Sequence, residues 1–251
     1  MKVRMTLIWV IIATLIVSLV AFLGIFFLFL KKDTLDKLLF ILISLATGAL
    51  IGGAFLHLLP HSLEHLSPMT ASLIFISGFI SFFLLERILR WRHCHEWGCE
   101  IHPVTYLNLL GDGLHNFIDG VVIAASFLVS FHFGVVTTLV VMAHEIPQEI
   151  GDYAILVYGG MERVKALFLN FASAVTALIG GILGYYFLHG TPYVHYIMPF
   201  AAGNFFYISA SDLIPELHKE VNFKRSLNSF IFFLAGIFIM YFLKAAFKGG
   251  D

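Results

Sequence analysis

The sequence VVMAHEIPQEIGD, residues 140–152, places five polar side chains within nine residues of an otherwise apolar segment. Its His-Glu pair nearly repeats the H-E-x-x-H signature of zinc proteases, with Gln148 at the position of the second histidine. This density of polar groups exceeds what helix packing requires, so the stretch predicts a functional site. The polar side chains are His144, Glu145, Gln148, Glu149 and Asp152.

The composition indicates a membrane protein. The chain has 251 residues, of which 59% are hydrophobic and 12% charged, with a mean hydropathy of +0.91. Soluble domains of this length carry roughly twice that charged fraction. The net charge of -1 also excludes the basic surface that nucleic-acid binding requires, so we expect no nucleic-acid partner.

The apolar segments predict a single all-α transporter domain over residues 1–251. A helix needs about 20 apolar residues to cross a bilayer. We expect a bundle of eight transmembrane helices, in which the fourth and fifth are kinked and form a central metal site. The predicted spans are 6–30, 38–60, 70–90, 106–129, 135–158, 164–188, 194–214 and 227–247.

Basic residues in alternate loops predict the orientation. The loops after the second, fourth and sixth predicted spans hold no Lys or Arg. Positive loops remain cytoplasmic, so we expect an integral protein of the cell (inner) membrane with both termini extracytoplasmic. The basic residues in the other loops are Lys31, Lys32, Lys37, Arg90, Arg92, Arg163, Lys165, Lys219, Lys224 and Arg225.

A second polar cluster lies in the predicted fourth span, NLLGDGLHNFIDGVVIAASF. Asp112, His115, Asn116 and Asp119 are separated by three, four and seven residues, which places them on one face of a helix. Ionisable side chains at bilayer depth cost a few kcal/mol, so they mark function. Imidazole, carboxylate and amide groups on two facing helices predict a divalent metal site, with zinc as the first candidate. Pro147 predicts a kink that frees a carbonyl near Ala143.

Two further clusters lie in predicted loops. The cytoplasmic loop 91–105 contains RWRHCHEWGCEIH, whose His, Cys and Glu residues predict either a solvated linker or a weak metal-receiving loop. On the opposite side, HSLEH holds His61, Glu64 and His65 and could collect metal outside. We expect His132, His189 and His195 to make interhelical contacts instead.

The paired motifs resemble one family. HNFIDG (115–120), HEIPQEIGD (144–152) and AAGNFFYISASDLIPE (201–216) resemble the signatures of the ZIP (Zrt/Irt-like) divalent metal transporters. The second motif is similar to the HEIPHELGD motif of one branch. The resemblance covers all eight predicted spans.

The resemblance implies a binuclear mid-membrane site and metal movement into the cytoplasm without ATP, by sliding of helix bundles, often in homodimers. It implies roles for His57 and His61 along the metal route. Asp112 and Glu149 are further candidates for the pathway. The implied ligands are His115, Asp119, His144, Glu145 and Gln148 for the first metal, and Asn116, Glu145, Gln148 and Asp212 for the second.

Gln148 departs from the HEIPHELGD pattern. An amide oxygen binds zinc more weakly than imidazole does, and it cannot bridge two metals as a carboxylate can, so Glu149 is expected to help. The more oxygen-rich site could also accept iron, manganese or cadmium.

Three alternatives remain at this level. An intramembrane zinc-dependent hydrolase would use His144 as ligand and Glu145 as base, but it needs a second imidazole where Gln148 stands. A metal sensor or structural bundle would favour tight Cys or His ligands over this mixed set. An efflux transporter would use the same coordination chemistry, and only the resemblance argues for import.

Overall fold

The computed structural model describes residues 2–27, 29, 31–91, 102–158 and 160–247. The predicted His- and Cys-bearing cluster at 93–101 lies outside these residues. The described backbone is helical apart from short connections and contains no strand. The helices are α1 (Lys2–Leu19), α2 (Leu23–Phe27), α3 (Lys32–Gly52), α4 (Leu59–His65), α5 (Pro68–Trp91), α6 (His102–Val129), α7 (Phe131–Tyr158), α8 (Arg163–Ala174), α9 (Thr176–Leu188), α10 (Val194–Ile208), α11 (Ile214–His218) and α12 (Phe223–Phe247).

Two wide helical turns interrupt these rods, and each precedes a proline. The π-helical segment Gly53–Leu58 joins α3 to α4, and Ser209–Leu213 joins α10 to α11. Pro60 and Pro215 stand two residues after these turns. A proline lacks the N–H that would bond the carbonyl four residues earlier, so the preceding backbone forms wider hydrogen-bonded rings.

Six helical segments of the described chain are long and apolar enough to cross a membrane, so the protein is an integral membrane protein. The predicted fifth and seventh spans are not among them, because α7 carries Glu145, Glu149 and Asp152 and α10 has only 15 residues. The eight-span count and the kinks therefore stay predictions. The six segments are Met5–Ile25, Asp33–His65, Pro68–Ile88, Leu109–Val129, Arg163–Leu188 and Phe223–Ala246.

Glycines bring three helix pairs into backbone contact. The most extensive packing joins α6 to α9, α3 to α12 and α5 to α10. In each pair, a glycine on either helix faces the partner's backbone so closely that a methyl group would collide with a carbonyl oxygen. Small residues allow this approach where lipid gives no hydrophobic drive for association. The pairs are Gly120 with Gly180, Gly48 with Gly236, and Gly78 with Gly203.

Helix α7 packs against both α6 and α3. Its middle is buried, and His144 and Glu145 are among the most completely enclosed large side chains of the described residues. The polar face of α6 meets this part of α7, and α8 packs against both helices. The bundle therefore encloses the two motifs that the sequence singles out.

Candidate metal centre

Two imidazoles and two carboxylates converge between α6 and α7. His115 and Asp119 come from α6, and His144 and Glu145 from α7; each offers a ligand atom within 4.8 Å of the others. The His144 Nε2 atom lies 3.0 Å from Asp119 Oδ2 and 3.2 Å from His115 Nε2. The His115 Nε2 atom lies 3.3 Å from Glu145 Oε1. These are the donor atoms that zinc binds in proteins. We call these four residues the first group.

A hydrogen bond on α7 and the residue spacing on α6 orient these metal-ligand atoms. The His144 Nδ1–H donates to the Val140 carbonyl one turn earlier, at 3.1 Å. With Nδ1 held in this way, the Nε2 atom faces Asp119, and it is the atom that the ring can offer to a metal. His115 and Asp119, four residues apart, share one face of α6, as their spacing predicts.

A second group contains only carboxylates and shares one residue with the first. Asp112, Glu145 and Glu149 each offer an oxygen within 4.8 Å of the others. The Asp112 carboxylate accepts hydrogen bonds from Asn116 Nδ2 at 2.9 Å and Gln148 Nε2 at 3.2 Å. The two predicted amide ligands therefore lie beside this second group.

Helix α8 supports the second group. The Ser173 hydroxyl donates to Asp112 Oδ2 at 2.5 Å, and Asn170 Nδ2 donates to Glu149 Oε2 at 2.5 Å. Asn170 is fully buried. Such donors hold the two carboxylates in position, as outer-shell partners of metal ligands do. Neither residue is among those predicted from the sequence, although their spacing of three in LNFASA is a polar signal within an apolar span.

The centre buries four carboxyl groups. Asp112, Asp119, Glu145 and Glu149 are each at most 5% exposed. No Lys or Arg forms an ion pair with any of them in the described part of the chain. A buried carboxylate is stable only when it is neutralised by a proton, a cationic partner or a metal.

Several oxygens in the centre lack a hydrogen-bond donor. Within the residues described, the carboxylate oxygens of Glu145, Glu149 Oε1 and the Asn116 amide oxygen accept no hydrogen bond of good geometry. Buried acceptors are almost always satisfied, so each exception needs an explanation. Coordination of a divalent cation would satisfy them together.

The remaining predicted residues lie elsewhere. Asp212 is exposed on the π-helical segment Ser209–Leu213, and among the described residues it belongs to neither the first nor the second group. His57 is buried, and its Nε2 atom lies 3.2 Å from Thr137 Oγ1 and 3.3 Å from the Phe133 carbonyl. His61 groups with His65 and His195 instead. The ligand roles of Asn116, Gln148 and Asp212 stay predictions.

Comparison with known proteins assigns the family. Residues 5–98 and 92–244 match the family described as ZIP Zinc transporter. Zinc transporter ZIP13 of Pongo abelii is 35% identical over 79% of this chain and 65% of its own length. ZIP13 of Mus musculus is 32% identical over 80% and 69%, and zinc transporter zipt-7.2 of Caenorhabditis elegans is 30% identical over 95% and 66%. The chain thus spans about two thirds of the length of these curated relatives, and it belongs to the ZIP zinc transporter family.

Proposed function

We propose that this protein transports a divalent metal ion, zinc in the first place, across the membrane into the cytoplasm. The observation that carries the proposal is the charge of the buried centre: four carboxylates and two imidazoles converge there, without a Lys or Arg ion pair among the described residues. A permeating dication would supply the missing charge. The relatives, which are named zinc transporters, support zinc as the ion.

The shared carboxylate of Glu145 supports a binuclear centre. The first group offers two imidazoles and suits zinc, whereas the second offers oxygens alone and binds a borderline metal more weakly. An ion in the second position would be released more easily, and a transport site must release its ion. Oxygen ligands also suit manganese and iron, so we include these ions and cadmium as competing substrates.

The lengths of α7 and of the helical segment 194–218 support eight membrane spans within one transporter domain. Helix α7 has 28 residues, which extend about 42 Å and exceed the hydrocarbon core of about 30 Å. Residues 194–218 form a continuous rod through α10, the wide turn and α11. With eight spans, the basic loops face the cytoplasm and both termini lie outside a cell (inner) membrane. Kinks are proposed from the prolines themselves. Homodimer formation and the HEIPHELGD branch are proposed from the sequence resemblance.

A hydrolase activity is less well supported than metal transport. It needs a second imidazole four residues after His144 and an open coordination position. Gln148 instead donates its amide to Asp112. The first group already provides four ligands, and the curated relatives are named as transporters rather than as enzymes.

Uptake of zinc by the purified protein in liposomes tests the proposal. We expect saturable uptake that falls at least about tenfold in His115→Ala and in Glu145→Ala, because each change removes a donor of the first group. The matched controls His189→Ala and Glu216→Ala remove exposed residues outside both groups. Iron, manganese and cadmium competition ranks the substrates. Full uptake by either centre variant would overturn the site assignment.

A further inference from the structure

We propose that His61, His65 and His195 form a second, separate divalent metal site, which we call the histidine triad. The histidine triad shares no residue with the transport centre, and zinc binding to it can be measured without transport. It lies where α4 ends and α10 begins. The sequence predicts an interhelical contact for His195 and does not connect this residue to the other two histidines.

The geometry brings three imidazoles together from two helices. His61 and His65 lie one turn apart on α4, and His195 is the second residue of α10. One ring nitrogen of each lies within 4.8 Å of the others. The ring centroids of His65 and His195 are 3.9 Å apart, and His61 lies 4.9 Å from His65 and 5.7 Å from His195.

The rings of His65 and His195 are stacked, but among the described residues packing alone leaves a ring nitrogen of the triad unsatisfied. His57 satisfies its Nε2 atom with the Phe133 carbonyl and Thr137, as a structural histidine does. The Nδ1 atom of His195, in contrast, is buried and has no hydrogen-bond partner within the residues described. An unsatisfied buried nitrogen on a ring beside two further imidazoles is suited to metal coordination, since buried polar atoms rarely stay unsatisfied.

The donor set points to zinc or a similar transition metal. Three neutral imidazoles leave a fourth position for water, the arrangement of open zinc sites. The Glu64 carboxylate lies 3.8 Å from His61 Nδ1 and is largely exposed, so it can orient that ring or add negative charge. Calcium and magnesium prefer oxygen ligands and are not expected to bind here.

Aromatic contacts connect the triad to the interior. The Phe133 ring lies 4.8 Å from the His61 ring and 3.9 Å from the His57 ring. His57 contacts Thr137, which lies two helical turns, about 10 Å, before His144 on α7. A metal held at the triad would therefore lie along the direction of the transport centre, and the triad could concentrate metal at one end of that route.

Zinc binding to a protein with a disabled transport centre tests the proposal. We would titrate zinc into detergent-purified His144→Ala/Glu145→Ala protein and determine the zinc stoichiometry and the X-ray absorption spectrum of the bound ion. We expect one zinc per chain with nitrogen neighbours at about 2.0–2.1 Å. Adding His195→Phe keeps an aromatic ring against His65 but removes a donor, so we expect zinc affinity to fall at least about tenfold.

The matched control is His189→Phe, an exposed histidine beside α10 that is outside the triad. When His189→Phe is added to the protein with the disabled centre, we expect the zinc at the triad to stay bound. Thermal unfolding of both variants checks that each is folded. Absence of bound zinc in the protein with the disabled centre would overturn the triad. Equal zinc affinity of that protein with and without His195→Phe would overturn it as well. Neither result depends on whether the protein transports metal.

Discussion

Replacing Asn170 by Ala isolates the second group of the metal centre. Asn170 Nδ2 lies 2.5 Å from Glu149 Oε2, and both side chains are fully buried. A hydrogen bond to a charged group contributes about 1.5–3 kcal/mol, and about 1.4 kcal/mol corresponds to tenfold in binding. If this bond holds Glu149 ready for a metal, Asn170→Ala weakens zinc binding at the second group about 10- to 100-fold. That range matches losses seen for outer-shell partners of metal ligands.

The first group gives an internal reference for the same experiment. None of its members bonds to Asn170, which donates to Glu149. In detergent-purified protein that also carries His195→Phe, which removes a donor of the histidine triad, equilibrium binding of radioactive zinc should therefore show two phases. Only the weaker phase should shift when Asn170→Ala is added. Asn228→Ala, an exposed substitution on α12, is the matched control. A single phase in the His195→Phe protein, or an equal shift of both phases on adding Asn170→Ala, would refute the division into two groups.

Three further substitutions test the packing and the ligand assignment. Gly120→Ala should destabilise the protein by about 1–3 kcal/mol, because the added methyl group collides with the Ala177 carbonyl. The control Gly151→Ala adds a methyl group where there is open space and should not destabilise it, and thermal unfolding compares the two variants. Gln148→His should raise zinc affinity and slow liposome uptake at saturating zinc, because imidazole holds the ion more tightly than an amide does; uptake as fast as wild type would oppose this. Asp212→Ala should reduce uptake less than Asp112→Ala, because Asp212 is exposed and outside both groups; the reverse order would restore Asp212 as a ligand.

Helical periodicity predicts the inner part of the centre. The spacing of His115 and Asp119 places them on one face of α6, and the polar run of α7 meets that face. The match to the ZIP zinc transporter family also covers residues 5–98 and 92–244. These features could be predicted because i,i+4 spacing on a regular helix fixes direction without knowledge of the neighbours.

Features that depend on neighbouring helices could not be predicted in this way. Asn170 and Ser173 lie in an apolar span, and their role depends on how α8 packs against α6 and α7. His195 meets α4 only in the folded bundle. The wide turn around Asp212 changes the helical phase, so a spacing argument based on 3.6 residues per turn does not fix its direction there.

The glycine contacts carry a similar lesson. Gly120 and Gly180 are 60 positions apart, and nothing local in either segment indicates that they face each other. Their importance lies in the approach of α6 to α9, which positions the helix that carries His115 and Asp119. Periodicity predicts which face of a helix is polar, but the partner of the opposite face follows only from the three-dimensional packing.

Anomalous X-ray diffraction at the zinc absorption edge, from crystals of the protein grown with zinc, tests the central claim most directly. We expect anomalous density between α6 and α7, at bonding distance from His115, Asp119, His144 and Glu145. Zinc density elsewhere in the molecule, with none between these four side chains, would contradict the account.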